Sequence, residues 1–168
     1  MQQHKPHAPG YDEDYFAWTQ HQAKLLRTLE ELRPERPVGL DLAHLAEEIE
    51  GLGSADLNTV KSLIRLVMVH LIKAASDPRA RALRHWRSEA TAFAADIPDR
   101  YTASMRQLIN MQALWKRALK LAELSLQEHG SSVPSIVPGR CPLSIGDVTS
   151  EEFDFDAAVK LLTAPQQN

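Results

Sequence analysis

The amino-acid sequence predicts an all-α fold: a bundle of four to five main helices followed by a short, partly irregular C-terminal tail. Three observations predict it. Apolar residues recur at three- and four-residue spacings through most of the chain, which is the period of an amphipathic helix. The breaks between these stretches fall at Pro34, Pro37, Gly51, Gly53, the Asp77-Pro78 pair, Pro98 and Gly130, residue types that stop or cap helices. Strand-like alternation of apolar and polar residues is absent.

Taken in order, the first helix runs from about Asp12 to Arg33. Asp12 is its expected N-cap, and Tyr15, Trp18, Leu25, Leu26, Leu29 and Leu32 form its apolar stripe,. A short second helix follows from Asp41 to about Leu52, with Leu42, Leu45, Ile49 and Leu52 on one face and Gly51 and Gly53 as its stop,. Ser54 or Asp56 opens a third helix reaching Ser76. Its main stripe is Leu57, Val60, Ile64, Val67, Met68, Leu71 and Ala75, and Leu63, Leu66 and His70 give a second one. A helix apolar on more than one side belongs at the centre of a bundle. A fourth helix covers Ala80 to Ala95, and a fifth runs from Asp99 to His129 before Gly130. In the fifth, Tyr101, Met105, Leu108, Gln112, Trp115, Leu119, Ala122 and Leu126 alternate spacings of four and three like a coiled-coil seam,. Residues Gly130 to Gly139 read as a surface linker, and one more helix is expected near Asp156 to Leu162,. Residues 1–10 read as a disordered leader, 11–130 as the bundle domain, and 131–168 as linker and tail packed on the same domain.

Composition narrows the function classes. The chain has 168 residues, 43% of them hydrophobic and 24% charged, with a net charge of −3. That is a globular composition, long enough for one proper core. No uninterrupted apolar run approaches the roughly 18 residues a membrane-spanning helix needs, so no membrane role is expected. Cys141 is the only cysteine, so no intrachain disulfide can form and a cytoplasmic location is expected. No zinc spacing, phosphate-binding glycine loop or nucleophile elbow is present,. No cofactor, no metal and no catalytic residue are therefore assigned.

Several stretches carry a family likeness. Tyr11-Asp12-Glu13-Asp14-Tyr15-Phe16-Ala17-Trp18 opens the first helix, and Leu45-Ala46-Glu47-Glu48-Ile49-Glu50-Gly51-Leu52-Gly53 closes the second. His70-Leu71-Ile72-Lys73, Trp86 in the next helix and Cys141-Pro142 complete the set. On these motifs the chain resembles the bacterial family catalogued as domain of unknown function 29, over roughly residues 11 to 155. It departs at Ala74, where members often carry an aromatic residue. The resemblance implies a bacterial helical bundle and no particular activity.

The candidate polar residues are Glu48, His70, Lys73, Arg84, Trp86 and Arg87. Glu48, at the edge of the second helix's apolar face, is expected to pair with Arg65, Lys73, Arg84 or Arg87. His44 and Glu47 on the same helix lack the second Glu-x-x-His motif of helix-bundle metal sites,. Charge is also unevenly spread. From Tyr11 to Asp56 there are eleven Asp/Glu and four Lys/Arg; from Leu57 to Arg87 seven Lys/Arg face Asp77 alone. The favoured reading is internal, with acidic first helices pairing against basic later ones. The other is a basic strip at 61–87, interleaved with His85 and Trp86, meeting RNA or single-stranded DNA. The expected function is a non-enzymatic protein-interaction module, possibly self-associating as a homodimer. The alternative is a nucleic-acid binder, and third comes an enzyme built on a His70/Glu48/Lys73 group.

Overall fold

The computed structural model describes residues 8–32, 37 and 39–164. The expected leader over 1–10, and Pro34 as the first helix's stop, fall wholly or mostly outside them. Among the described residues the chain is all-α, with no strand. The helices are α1 (Tyr15–Leu32), α2 (Leu42–Ser76), α3 (Leu83–Ala95), α4 (Met111–Gln127), α5 (Gly146–Thr149) and α6 (Phe155–Thr163); a 3-10 turn at Ala103–Leu108 precedes α4. Contacts divide the chain into two compact units. The first holds residues up to Asn58 plus Thr102–Arg106; the second holds Thr59–Tyr101 and Gln107 onward.

The first unit is a helical hairpin of α1 and the opening of α2. Asp14, not Asp12, caps α1: its Oδ1 accepts the Ala17 N–H at 2.9 Å,. The same carboxylate accepts the Ser104 hydroxyl at 2.7 Å and the Ser104 N–H at 3.1 Å. Asp14 wins the cap because one carboxylate serves two segments there. Asp41 caps α2 as expected, accepting the His44 N–H at 3.1 Å.

Gly51 and Gly53 do not stop a helix; α2 runs through both as one 35-residue element. Gly53 is instead the crossing point. A Cβ built on it would lie 2.1 Å from Thr19 Oγ1. The buried faces are therefore made of modest side chains: Phe16, Thr19 and Ala23 from α1, Leu42, Ala46 and Gly53 from α2. Thr19 satisfies its hydroxyl by donating to Phe16 O at 2.7 Å. Leu45 and Leu52, expected in the core, are exposed, as are Leu25, Leu29 and Leu32.

In the second unit the remainder of α2 supplies the core, with Val60, Ile64, Val67, Met68, Leu71 and Ile72 buried. The long fifth helix is corrected to a shorter one. Asn110 caps α4 by accepting the Ala113 N–H at 2.9 Å, and Tyr101, Met105 and Leu108 precede it. Met105 is buried from the 3-10 turn while Leu108 is exposed. From Trp115 on, Trp115, Ala122 and Leu126 of the seam are buried, while Leu119 is only half-buried and Ala118 beside it is buried in its place. Gly130, at φ +74°, ends the helical segment, with Ser131 N–H donating to Leu126 O and Gly130 N–H to Gln127 O, the Schellman arrangement.

The stretch after Gly130 is tied down rather than a plain surface linker. Trp115 Nε1 donates to Pro138 O at 2.9 Å. Gln112 Nε2 donates to Gly139 O and its Oε1 accepts Cys141 N–H, at 3.0 and 2.8 Å. Val137 is buried. α3 begins at Leu83 rather than Ala80, and α6, capped by Asp154, matches the helix expected in the tail.

Candidate functional site

The end of α2, the start of α3 and the end of α4 enclose a cavity of about 450 Å³ in the second unit. Lys73 sits in the last turn of α2, where an ammonium favours the helix dipole,. Its Nζ lies 4.9 Å from the centroid of the buried Trp86 ring on α3, a cation–π contact. Among the described residues the Lys73 ammonium makes no hydrogen bond and no salt bridge, while the Lys73 carbonyl accepts the Asp77 N–H at 3.0 Å. Burial pushes its pKa down, and the charge of Glu128 pushes back. Asp77, Arg81, His85 and His129 complete the polar wall. Asp77 Oδ1 is already engaged by the Arg79 N–H at 3.2 Å.

His70 lies behind this wall. Its ring centroid is 6.4 Å from that of His85, edge-on, and 5.9 Å from that of Phe93. Its Nδ1 is buried without a hydrogen-bond partner. Burial, then the Lys73 charge, bring its pKa down to about 4, with Glu89 acting in the opposite direction. The imidazole is therefore neutral at pH 7 and acts as packing.

The chain matches the family model described as a domain of unknown function, DUF29, over residues 11–154. It is a DUF29 protein. A crystal structure of an alpha-helical protein of unknown function from Rhodospirillum rubrum is similar to it, with 35% identity and a TM-score of 0.88, covering 93% of this chain and 99% of that one. No curated protein matches this chain.

The structure joins only some of the residues singled out in this DUF29 sequence. Lys73 and Trp86 meet, with His70 behind them. Glu48 belongs to the first unit, is exposed, and has no ion pair among the described residues. A carboxylate that is engaged on that helix is Glu50, which takes Arg27 at 2.5 Å. Within the second unit Arg87 of the basic stretch pairs, in two contacts of 2.6 Å, with Asp156 of α6, and it stacks on Phe155. Arg65 donates to Ser62 Oγ. Arg79, Arg81 and Arg84 are exposed with no carboxylate partner among the described residues.

Two possibilities contract. No group of three or more metal-ligating side chains occurs among the described residues; His44 instead bonds Asp41. Burial raises the Cys141 thiol pKa, and the thiol donates to Leu143 O at 3.5 Å. It is a protonated, half-buried side chain rather than a nucleophile. No helix among the described residues is long and apolar enough to cross a membrane.

The DUF29 hairpin presents a second feature. Leu25, Leu29 and Leu32 of α1 and Leu45 and Leu52 of α2 are between 41% and 73% exposed. Tyr15, Trp18, Gln22, Leu25, Leu29 and Leu32 alternate spacings of three and four, the a/d pattern of a coiled coil. Sequence reasoning found this stripe but placed it in the core. The missed signal was the opposing set of small residues, Thr19, Ala23, Ala46 and Gly53, at helical spacing.

Proposed function

We propose that this DUF29 domain is a self-associating interaction module whose α1–α2 hairpin pairs with a second copy of the chain. The observation that carries the reading is the exposed leucine face. Large apolar side chains grouped on one surface mark association sites, and the same α1 stripe has the heptad spacing that helices use to pair.

Tyr15, at the head of the stripe, has its pKa raised by burial, then by the Tyr11 and Asp56 charges. Leu45 and Leu52 add exposed apolar surface on α2 of the same unit. A second copy suits the middle of this face electrostatically, where His21, Leu26 and Thr28 flank the stripe; Asp14, which flanks its head, has its carboxylate engaged by Ala17 and Ser104. Gln22 interrupts the stripe, where one polar residue fixes register.

Sedimentation velocity tests this. A dimer at micromolar concentration is expected. Leu25→Glu with Leu29→Glu should return a monomer with an unchanged helical circular dichroism spectrum. A wild-type monomer at about 100 μM, a concentration at which even a pair held by about 5 kcal/mol begins to associate, rejects the reading.

A second reading, contact with RNA or single-stranded DNA, is favoured by the exposed Arg79, Arg81 and Arg84. Three arginines neutralise about three phosphates, which makes such binding weak and steeply salt-dependent.

A further inference from the structure

We propose that the cavity bounded by α2, α3 and α4 binds a small organic carboxylate, its anionic end taken by Lys73 and Arg81 and its apolar body lodged against Trp86 and Leu126. This site lies in the second unit and stands whether or not two copies pair through α1.

Size comes first. The cavity measures about 450 Å³, within the roughly 300–1,000 Å³ of small-molecule sites. Its wall is mixed in the way such sites are. Trp86, Leu126, Ala80 and Ala82 give apolar surface, and a few convergent polar groups stand among them,.

Charge sets the ligand class. Two basic side chains, Lys73 and Arg81, line the cavity against one carboxylate, Asp77. That carboxylate is oriented by the backbone N–H of Arg79. A cationic ligand would face both cations. A neutral one would leave the Lys73 ammonium partly desolvated with its donors unused, since among the described residues its close partner is the Trp86 ring face,. Among the lining side chains a single negative charge matches the surplus of one positive charge, and a doubly charged phosphate exceeds it. Glu128, outside the lining, acts on Lys73 and disfavours a dianion further. Arg81 brings a planar fork suited to a carboxylate. The carboxylate can sit between the two cations while the rest of the ligand covers apolar wall. Ser125 and Ser131 add hydroxyls at the rim of the α4 end.

The test is a titration of the full chain, followed by amide chemical shifts in NMR. The probes are hexanoate, 3-phenylpropionate, its neutral counterpart 3-phenylpropanol, and inorganic phosphate. Shifts confined to residues around Lys73, Trp86 and Ser125 are expected with the two carboxylates, at submillimolar Kd. The alcohol and phosphate should bind at least about tenfold more weakly, a difference of about 1.4 kcal/mol. Lys73→Met and Arg81→Gln should each weaken carboxylate binding about tenfold or more. Arg81 is exposed on a turn, so its variant keeps the test valid if Lys73→Met fails to fold. Arg100→Gln, outside the cavity, should change nothing. Kd values above about 10 mM for both carboxylates overturn the proposal. So do equal affinity for the alcohol, tighter binding of phosphate, or carboxylate binding unaffected by Arg81→Gln.

Discussion

Gly53 lies against Thr19 so closely that a methyl group on its Cα would stand 2.1 Å from the threonine hydroxyl oxygen. That hydroxyl is fixed by its bond to Phe16 O, and Thr19 is fully buried, so it cannot swing away cheaply. Two residues earlier Gly51 has open space around its Cα. The pair makes a controlled experiment. In a helix interior Ala is favoured over Gly by about 1 kcal/mol, so Gly51→Ala should stabilise the protein by about 0.5–1 kcal/mol. Gly53→Ala should destabilise it by about 1–3 kcal/mol, because overpacking outweighs propensity. Urea titrations of the two variants check the opposite signs. A Gly53→Ala variant as stable as Gly51→Ala would show that α1 and α2 do not cross there.

Asp14 ties the start of α1 to the 3-10 turn before α4 through Ser104. Burial raises its pKa, but donors from Ala17 and Ser104 outweigh this and hold it below the ordinary 3.8. The sign follows from linkage. A group whose folded pKa is depressed contributes stability above its unfolded value, lost as pH falls through the folded one. The stability gap between wild type and Asp14→Ala should therefore be flat at neutral pH, at about 0.5–2 kcal/mol for a lost cap. It should narrow as pH falls below about 5, where the unfolded carboxylate begins to protonate, and close through the depressed folded value. A gap that grows on acidification would contradict the geometry.

Much of this was legible in the sequence, and the misses share a cause. The α4 seam was readable at Trp115, Ala122 and Leu126, which are buried, but not at Leu119, whose place Ala118 takes. At α1 the rule that large apolar residues mark the buried side picked the wrong face. Its buried side is Phe16, Thr19 and Ala23, with Thr19 and Phe16 lying against Gly53, while the leucines face outward. Gly53 therefore read as a stop when it is a contact. The break before α4 was hidden for another reason. Asn110 ends the preceding segment by capping Ala113, without a nearby proline or glycine to announce it. Lys73 and Trp86 were both singled out, but their stacking depends on the turn at 77–82, which spacing alone does not set.

Trp115 carries two roles that can be separated. Its ring is fully buried, and its Nε1–H holds the 131–139 stretch at Pro138 O. Trp115→Ala should cost about 3–5 kcal/mol, as large aromatic truncations in cores do. Trp115→Phe keeps much of the ring volume and removes the donor, so it should cost less while loosening the stretch after Gly130. Denaturant titration reads the first effect. Faster amide exchange at Val137 and Cys141 reads the second. A loss below about 1 kcal/mol for Trp115→Ala would mean the seam is wrongly assigned.

The exposed arginines lead to a last expectation, concerning nucleic acid. Arg79, Arg81 and Arg84 have no carboxylate partner among the described residues, whereas Arg87 is occupied by Asp156. The chain as a whole carries −3, which repels a polyanion at long range. Three phosphate contacts correspond to a salt slope of about −2 on single strands. Fluorescence anisotropy with labelled RNA or single-stranded DNA should then show weak binding at low salt and almost none at about 150 mM, where exposed charges are screened beyond about 8 Å. Asp156→Asn should release Arg87 and add one contact, steepening the slope by about 0.7. Submicromolar affinity at about 150 mM salt, from a protein that sediments as a monomer, would reverse the ranking. Nucleic-acid binding through the second unit would then displace self-pairing through the hairpin as the function of this domain.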